Sequence, residues 1–301
     1  MEFAILIPVF NRLELTGKML DSLTVALERC REAKFHVIVI DDGSTDGTSD
    51  WVEQNHPEVV LLKGYGNLWW SGAINVGASH ALEVLKVDYL VLWNNDIRFR
   101  EDYFTTMVRA VNNSEMPVIL GSKIYVDENP EQVWSMGGFF DPKKGKYDMY
   151  AYFVDDTEEF QQDREVDWLT GMGTVIPAEV VREIGTWNQE QFPQYHGDSD
   201  FTYRAKLAGY RNILKHELKL YNSVGNSGLE HEDSFRKLLR LMTDIRSKIN
   251  FRKNILFYRK YARSPRAYLP LVRLYFIVFA GFFKWKILGL FGAGKGKGVK
   301  A

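Results

Sequence analysis

Phe35-His-Val-Ile-Val-Ile40 runs directly into Asp41-Asp42-Gly43-Ser44-Thr45-Asp46. The first half is short, β-branched and nearly continuous in its apolar residues, the pattern of a strand buried on both faces of a parallel sheet. The second half stops that strand with acids, a glycine and hydroxyls. The same grammar occurs twice more in the N-terminal third. Phe3-Ala-Ile-Leu-Ile-Pro8-Val9 runs into Phe10-Asn11-Arg12, and Asp88-Tyr-Leu-Val-Leu-Trp93 runs into Asn94-Asn95-Asp96. Open α/β sheets bind ligands in the crevice beyond the carboxyl ends of their strands. Three polar strand ends therefore predict one site for a phosphate-bearing, metal-bound ligand.

Working outward, residues 1–112 alternate strands with helices. Met19, Leu20, Leu23 and Leu27 give Leu13–Arg29 a helical apolar stripe. Thr45–Gln54 reads as a short helix entered through Ser/Thr and Asp capping. Glu58–Leu62 reads as a strand, Ala73–Leu85 and Glu101–Val111 as helices, and Pro117–Ile124 as a further strand. Residues 125–165 suggest loops and antiparallel strands over the site, and Asp198–Leu207 a last helix of the body. The Gly- and Lys-rich stretch 292–298 reads as a frayed tail.

At 301 residues and 46% hydrophobic, the chain can bury a large core. Its formal charge of −1 hides a strong asymmetry: from Arg236 onward there are 17 Lys/Arg against one acid, Asp244. A basic end on an acidic body calls for a partner, an anionic membrane surface or nucleic acid. The aromatics there sit inside an aliphatic run rather than interleaved on a basic groove, which argues against nucleic acid. Leu274–Phe283 is an uncharged apolar run about half the ~20 residues of a spanning helix. Arg273, Lys284 and Lys286 beside it fit a helix lying in the membrane interface, with packing on the body or on a second subunit as the alternative. The lone Cys30 excludes an internal disulfide and fits a reducing compartment. Met1-Glu2-Phe3 leads into a strand without a basic leader, so no secretory signal is expected.

Several segments carry chemistry, and each has a plainer structural reading. Asp41 and Asp42 can form a turn and cap, or one of them can accept from a nucleobase N–H. Asn94, Asn95 and Asp96 can cap the next helix, or Asp96 can bind Mg²⁺ or Mn²⁺, which takes one or two carboxylates plus substrate phosphates. His196-Gly197-Asp198-Ser199-Asp200 can be an acidic first turn favoured by the helix dipole, or can supply a general base near a substrate hydroxyl. Asn67-Leu68-Trp69-Trp70-Ser71-Gly72 reads as a loop, and at least one indole can line a pocket and stack on a sugar or base. Trp168-Leu-Thr-Gly171-Met-Gly173 lets backbone approach a ligand. A dinucleotide glycine fingerprint is absent after the first strand, and Gly294-Lys295 lacks the context of a phosphate-binding loop.

Taken in order, these pieces resemble the family 2 inverting glycosyltransferases, in particular their bacterial rhamnosyltransferase-like branch. The matching residues are Ile7–Arg12, Val39–Gly47, Gly66–Asn75, Leu92–Asp96, Gly171–Pro177 and Gly197–Phe201, spread over roughly residues 3–230. The resemblance implies an α/β GT-A fold: a mixed, mainly parallel sheet flanked by helices, here in residues 1–235, with a C-terminal helical appendage in 236–301. It implies that Pro8 and Asp42 contact the nucleobase and that Val9, Asn11, Arg12, Asp41, Asn67, Asn75, Asn94 and Asn95 belong to the donor side. Asp96 would hold the metal on the donor diphosphate, and Asp198 would be the catalytic base. Trp69, Trp70, Trp168, Gly171 and Asp200 would face the acceptor, Asp200 either supporting it or orienting its loop. Two departures stand out. Gly197 replaces a frequent Glu, and Tyr221–Gly228 lacks the His that often follows the last strand.

The reading that follows is a cytoplasmic enzyme at the inner membrane face, moving a sugar from a UDP- or dTDP-sugar to a hydroxyl of a glycan or lipid-linked acceptor. It involves no nucleic acid and allows a homo-oligomer. A sugar-nucleotide nucleotidyltransferase, or a non-catalytic assembly partner that retains the fold, are the alternatives.

Overall fold

A computed structural model describes residues 1–114, 117–223 and 234–290. Residues 224–228 of the stretch after the last strand, and the 292–298 tail, lie outside the described residues. The chain divides into two compact units, Met1–Phe139 with Asp148–Ser227, and Phe140–Tyr147 with Gly228–Ala301. The membership of 140–147 in the C-terminal unit is not foreshadowed in the sequence.

The first unit opens with β1 (Glu2–Val9), α1 (Leu13–Arg29), β2 (Lys34–Asp41), α2 (Thr48–Asn55), β3 (Val60–Lys63), α3 (Trp69–Ser79), β4 (Tyr89–Leu92), β5 (Ile97–Phe99) and α4 (Tyr103–Asn112). It continues through β6 (Val118–Val126), β7 (Asn129–Ser135), the hairpin β8 (Gly138–Asp141) and β9 (Lys146–Met149), β10 (Val154–Asp155), β11 (Arg164–Val166), β12 (Thr174–Pro177), α5 (Ala178–Ile184), α6 (Gly197–Leu207) and β13 (Arg211–Asn222). The main sheet runs β10-β7-β6-β12-β4-β1-β2-β3, with β13 along β6, and β5 and β11 on β13. Its core β4-β1-β2-β3 is parallel; β12 enters antiparallel between β4 and β6. This is the expected mixed sheet around a parallel core.

The alternation along β1 shows why both faces are apolar. Phe3, Ile5, Ile7 and Val9 point into one cluster with Met19, Leu20 and Leu23 of α1 and Phe104 and Met107 of α4. Ala4 and Leu6 point into the other, with Ala73, Ile74 and Ala78 of α3 and Phe201 of α6. Full burial of such side chains stabilises by about 1.5–3 kcal/mol each, so β1 is fixed in register and its polar end cannot wander.

The second unit contains α7 (Phe235–Thr243), α8 (Phe251–Tyr261) and α9 (Leu269–Leu290) together with the tip of the β8–β9 hairpin. Phe140 and Tyr147 of the tip pack edge-on to Phe257 of α8 at 5.3 and 5.4 Å. The Tyr258 hydroxyl donates to the Gly145 carbonyl at 2.6 Å, and the Ser264 hydroxyl to that of Lys143 at 2.6 Å. The short apolar run read from the sequence is part of a 22-residue helix.

Candidate active site

Val9 is opposite Asp41 across β1 and β2, and Leu6 is opposite Leu92 across β1 and β4. The three polar strand ends therefore emerge side by side. The loops after β1 and β2 are stitched together: Asn11 N–H donates to Ser44 Oγ (2.7 Å), Thr45 N–H to Asn11 Oδ1 (2.9 Å) and Leu13 N–H to Asp46 Oδ2 (2.9 Å). These bonds hold Asn11 and Arg12 at φ 58° and 64°, a left-handed conformation that costs free energy outside glycine. So placed, Arg12 Nη1 donates to Asp96 Oδ2 at 2.8 Å, the two side chains being 43% and 19% exposed.

Asp41 is buried and accepts from Ser44 N–H (2.8 Å) and from the Ser49 hydroxyl. Asp42 does more. Its Oδ1 accepts from the N–H groups of Gly66 (2.8 Å) and Asn67 (3.1 Å), and its Oδ2 from those of Leu68 (2.8 Å) and Trp69 (3.0 Å). The N–H groups of Leu68 and Trp69 are orphan donors at the start of α3, capped from a distant strand end rather than by a local side chain, and Gly66 and Asn67 lead into them. This corrects the reading of 67–72 as a loop: Trp69 and Trp70 open a helix.

Trp70 connects this side to the second. Its N–H donates to Gln194 Oε1 (3.2 Å), and Ser71 bonds the carbonyls of Pro193 (2.8 Å) and Phe192 (2.6 Å). A Cβ at Gly171 would lie 2.3 Å from the Trp70 ring; one at Gly197 would lie 2.2 Å from Ser71 Oγ and 3.2 Å from the same ring. The half-buried indole thus fits between two glycine backbones. Between them stands Asp198, whose Oδ2 accepts from Gly171 N–H (2.9 Å) and Oδ1 from Ser199 N–H (2.7 Å). Thr174 of β12 pairs with Leu92, so Gly171 and Asp198 lie at the end of the sheet where Asn94–Asp96 leave β4. Burial pushes the Asp198 carboxyl above its ordinary value, against the pull of the two N–H groups. Burial and the charge of Asp198 also raise the nearby Tyr195 hydroxyl.

The profile of glycosyl transferase family 2 matches residues 4–175, more than half of the chain. The chain belongs to glycosyl transferase family 2. Among the relatives of this family 2 glycosyltransferase, the N-acetylglucosaminyl-diphospho-decaprenol L-rhamnosyltransferase of Mycobacterium tuberculosis (strain ATCC 25618 / H37Rv) is 25% identical over 217 residues, 65% of this chain and 69% of that protein. The uncharacterised glycosyltransferase YfnE of Bacillus subtilis (strain 168) is 29% identical over 156 residues, 48% of this chain and only 38% of that longer protein. Among solved structures, the mannosyltransferase PcManGT of Pyrobaculum calidifontis with GDP-Man and Mn²⁺ superposes with TM-score 0.56 at 15% identity, over 94% of this chain and 69% of the other. S. aureus TarS 1–349 with UDP-GlcNAc gives 0.52 at 14% identity, over 87% and 71%. These structures share the GT-A fold.

Within the family 2 frame, the site residues separate. Pro8, Asn67, Asn94 and Asp96 are half-buried or exposed at the strand ends. Val9 is core, and Asn95 donates to Thr16 Oγ1 (2.9 Å) beneath the site. Asn75 ties α3 to the carbonyl of Trp187 (2.9 Å) and to Gln189 (2.8 Å). Asp200 is fully buried and pairs with Arg204, one turn further along α6, at 3.1 Å. Trp168 is buried against Gly138. Neither is brought to the open end. Two exposed aromatics were not singled out from the sequence: Phe10 (57% exposed) after β1 and Tyr65 (96%) after β3. The signal for Phe10 was its place between a buried strand and Asn11.

Among the described residues no group of three or more His, Cys, Asp or Glu could hold a metal. Asp96, partly exposed, suits the mode in which one protein carboxylate and a diphosphate share a divalent ion. Arg12 already supplies one positive charge there.

Proposed function

We propose that this chain is an inverting glycosyltransferase moving a sugar from a UDP- or dTDP-sugar to a hydroxyl of a glycan or lipid-linked acceptor in cell-surface polysaccharide assembly. The observation that carries the reading is the placement of two acids at one end of the sheet: Asp96, ion-paired and open, and Asp198, partly desolvated with a raised pKa. Pro8, Asn11, Asp42 and Asn67 form the base and ribose end of the donor site, and Arg12, Asn94 and Asp96 its diphosphate end. Mg²⁺ or Mn²⁺ at Asp96 would supply charge stabilisation for the leaving diphosphate. Asp198 takes the acceptor O–H proton as that oxygen bonds to the anomeric carbon. The bond from that carbon to the diphosphate oxygen breaks on the opposite face, and the nucleoside diphosphate leaves. One displacement inverts the anomeric centre.

A relative named for L-rhamnosyl transfer involving a diphospho-decaprenol supports a deoxyhexosyl donor and a lipid-diphosphate acceptor. Such an acceptor, with the basic C-terminal region, supports a location at the cytoplasmic face of the membrane. A thermal-shift screen of nucleotide sugars with and without Mn²⁺, followed by donor hydrolysis, tests the reading. Stabilisation by one UDP- or dTDP-sugar, larger with Mn²⁺, is expected; no stabilisation by any nucleotide sugar overturns it.

A further inference from the structure

α9 presents apolar side chains on two sides. On one side Leu271 and Tyr275 are buried, and Tyr275 exchanges hydrogen bonds with Asn254 Nδ2 (2.9 Å) and the Ile249 carbonyl (3.1 Å) and meets Phe251 edge-on at 4.9 Å. That side is satisfied by α8 and the segment before it. On the other side Leu269, Val272, Phe276, Ile277 and Phe283 are exposed, Phe276 by 71%. Their spacing keeps them on one face of a 3.6-residue helix. Arg273 and Lys284 stand on that same exposed face. An outward apolar stripe of this kind, interrupted by two cations, marks an interaction surface.

Charge selects the occupant. The chain from Arg236 onward carries 17 cations against one acid, and Arg252, Arg259, Lys260, Arg263 and Arg266 are exposed on α8 and the segment joining it to α9. A second copy would set like charge against like charge, whereas an anionic bilayer complements it. Geometry selects the orientation. By length and composition Pro265–Lys284 could cross a membrane. Yet Arg273 and Lys284 bracket only ten residues, about 15 Å of helix against a hydrocarbon core of about 30 Å. A crossing would strand one of these cations in hydrocarbon; a helix in the plane leaves both at the head groups.

We propose that α9 lies in the plane of an anionic bilayer, with Leu269, Val272, Phe276, Ile277 and Phe283 among the acyl chains and Arg273 and Lys284 on lipid phosphates. The inference rests on the reading of a membrane-face glycosyltransferase and deepens it by naming the surface that makes the contact. The test is flotation of the full chain with phosphatidylcholine vesicles, with and without phosphatidylglycerol, at low and high salt. Wild type, the double variant F276E/I277E and the double variant R273E/K284E are compared, with thermal shift by UDP and dTDP checking the fold and site of each. Wild type should float with the anionic vesicles at low salt. F276E/I277E should partition at least about tenfold less, and R273E/K284E should lose the preference for anionic lipid. No flotation of wild type, equal flotation of F276E/I277E, or a dimer in light scattering that this pair breaks overturns the proposal. Flotation as expected without any nucleotide shift overturns the glycosyltransferase reading alone; a nucleotide shift without flotation overturns the docking alone.

Discussion

Asp42 and Asp198 are carboxylates at the same end of one sheet, held in opposite ways. Asp42 accepts four backbone N–H groups and fastens the start of α3. Asp198 accepts two, in a site whose burial raises its pKa. The first is saturated by the backbone that it positions. The second keeps basicity in reserve, as the proposed proton abstraction from an acceptor would require. Chemically identical side chains in one region are thus set apart by their burial and by the donors around them.

Replacing the reactive member should give the largest effect. Asp198→Asn should lower turnover about 10²–10⁴-fold while sparing nucleotide affinity, measured by sugar transfer and calorimetry. The same carboxylate should set an acid limb in the pH dependence of kcat above its ordinary 3.8, because only the ionised form takes the proton. The sign for stability follows. Folding raises this pKa, so stability is lost as pH rises from the unfolded value through the folded one. Asp198→Asn should then melt no lower than wild type at neutral pH, and a clear fall in Tm would mean that Asp198 is structural after all.

Replacing the saturated member should look different. Asp42→Ala leaves four N–H donors without their acceptor and should lower both Tm and nucleotide affinity, the latter about tenfold to a hundredfold. A fall in affinity with unchanged Tm would point to direct base contact; unchanged affinity would remove Asp42 from the donor site. Gly197→Ala tests the frame between the two acids. Its Cβ would meet Ser71 Oγ at 2.2 Å, so either that hydroxyl gives up its bond to the Phe192 carbonyl or α6 shifts, at a cost of about 1–3 kcal/mol in denaturant unfolding and with kcat falling more than KM changes. The smallest effect belongs to Arg12→Ala. The exposed pair with Asp96 should be worth less than about 1 kcal/mol in the same unfolding assay, while Asp96→Ala removes the metal dependence of donor binding.

The buried strands were legible because their apolar runs admit no other reading, and the polar ends followed from them. The start of α3 was not, because its cap is Asp42, 26 residues before Leu68. Local capping rules see only Leu68, which offers no side-chain acceptor. Gly197 reads in sequence as a departure from the family; in space Ser71 and Trp70 occupy the volume a side chain would need. Asp200 and Asn75 carried polar signals that burial and local partners absorb. In α9 the sequence showed a short apolar run between cations, whereas helix continuity and the outward stripe required three dimensions.

The hairpin tip at 140–147 has a consequence for the order in which the chain can be completed. Its partners Phe257 and Tyr258 are synthesised about a hundred residues later, on the order of ten seconds at ribosomal speed. During that interval Phe140 and Tyr147 wait uncovered on a nascent chain. The C-terminal helices are therefore a late-arriving cover, and a shortened chain ending near Ser234 would keep that aromatic surface permanently bare, inviting chaperones or aggregation.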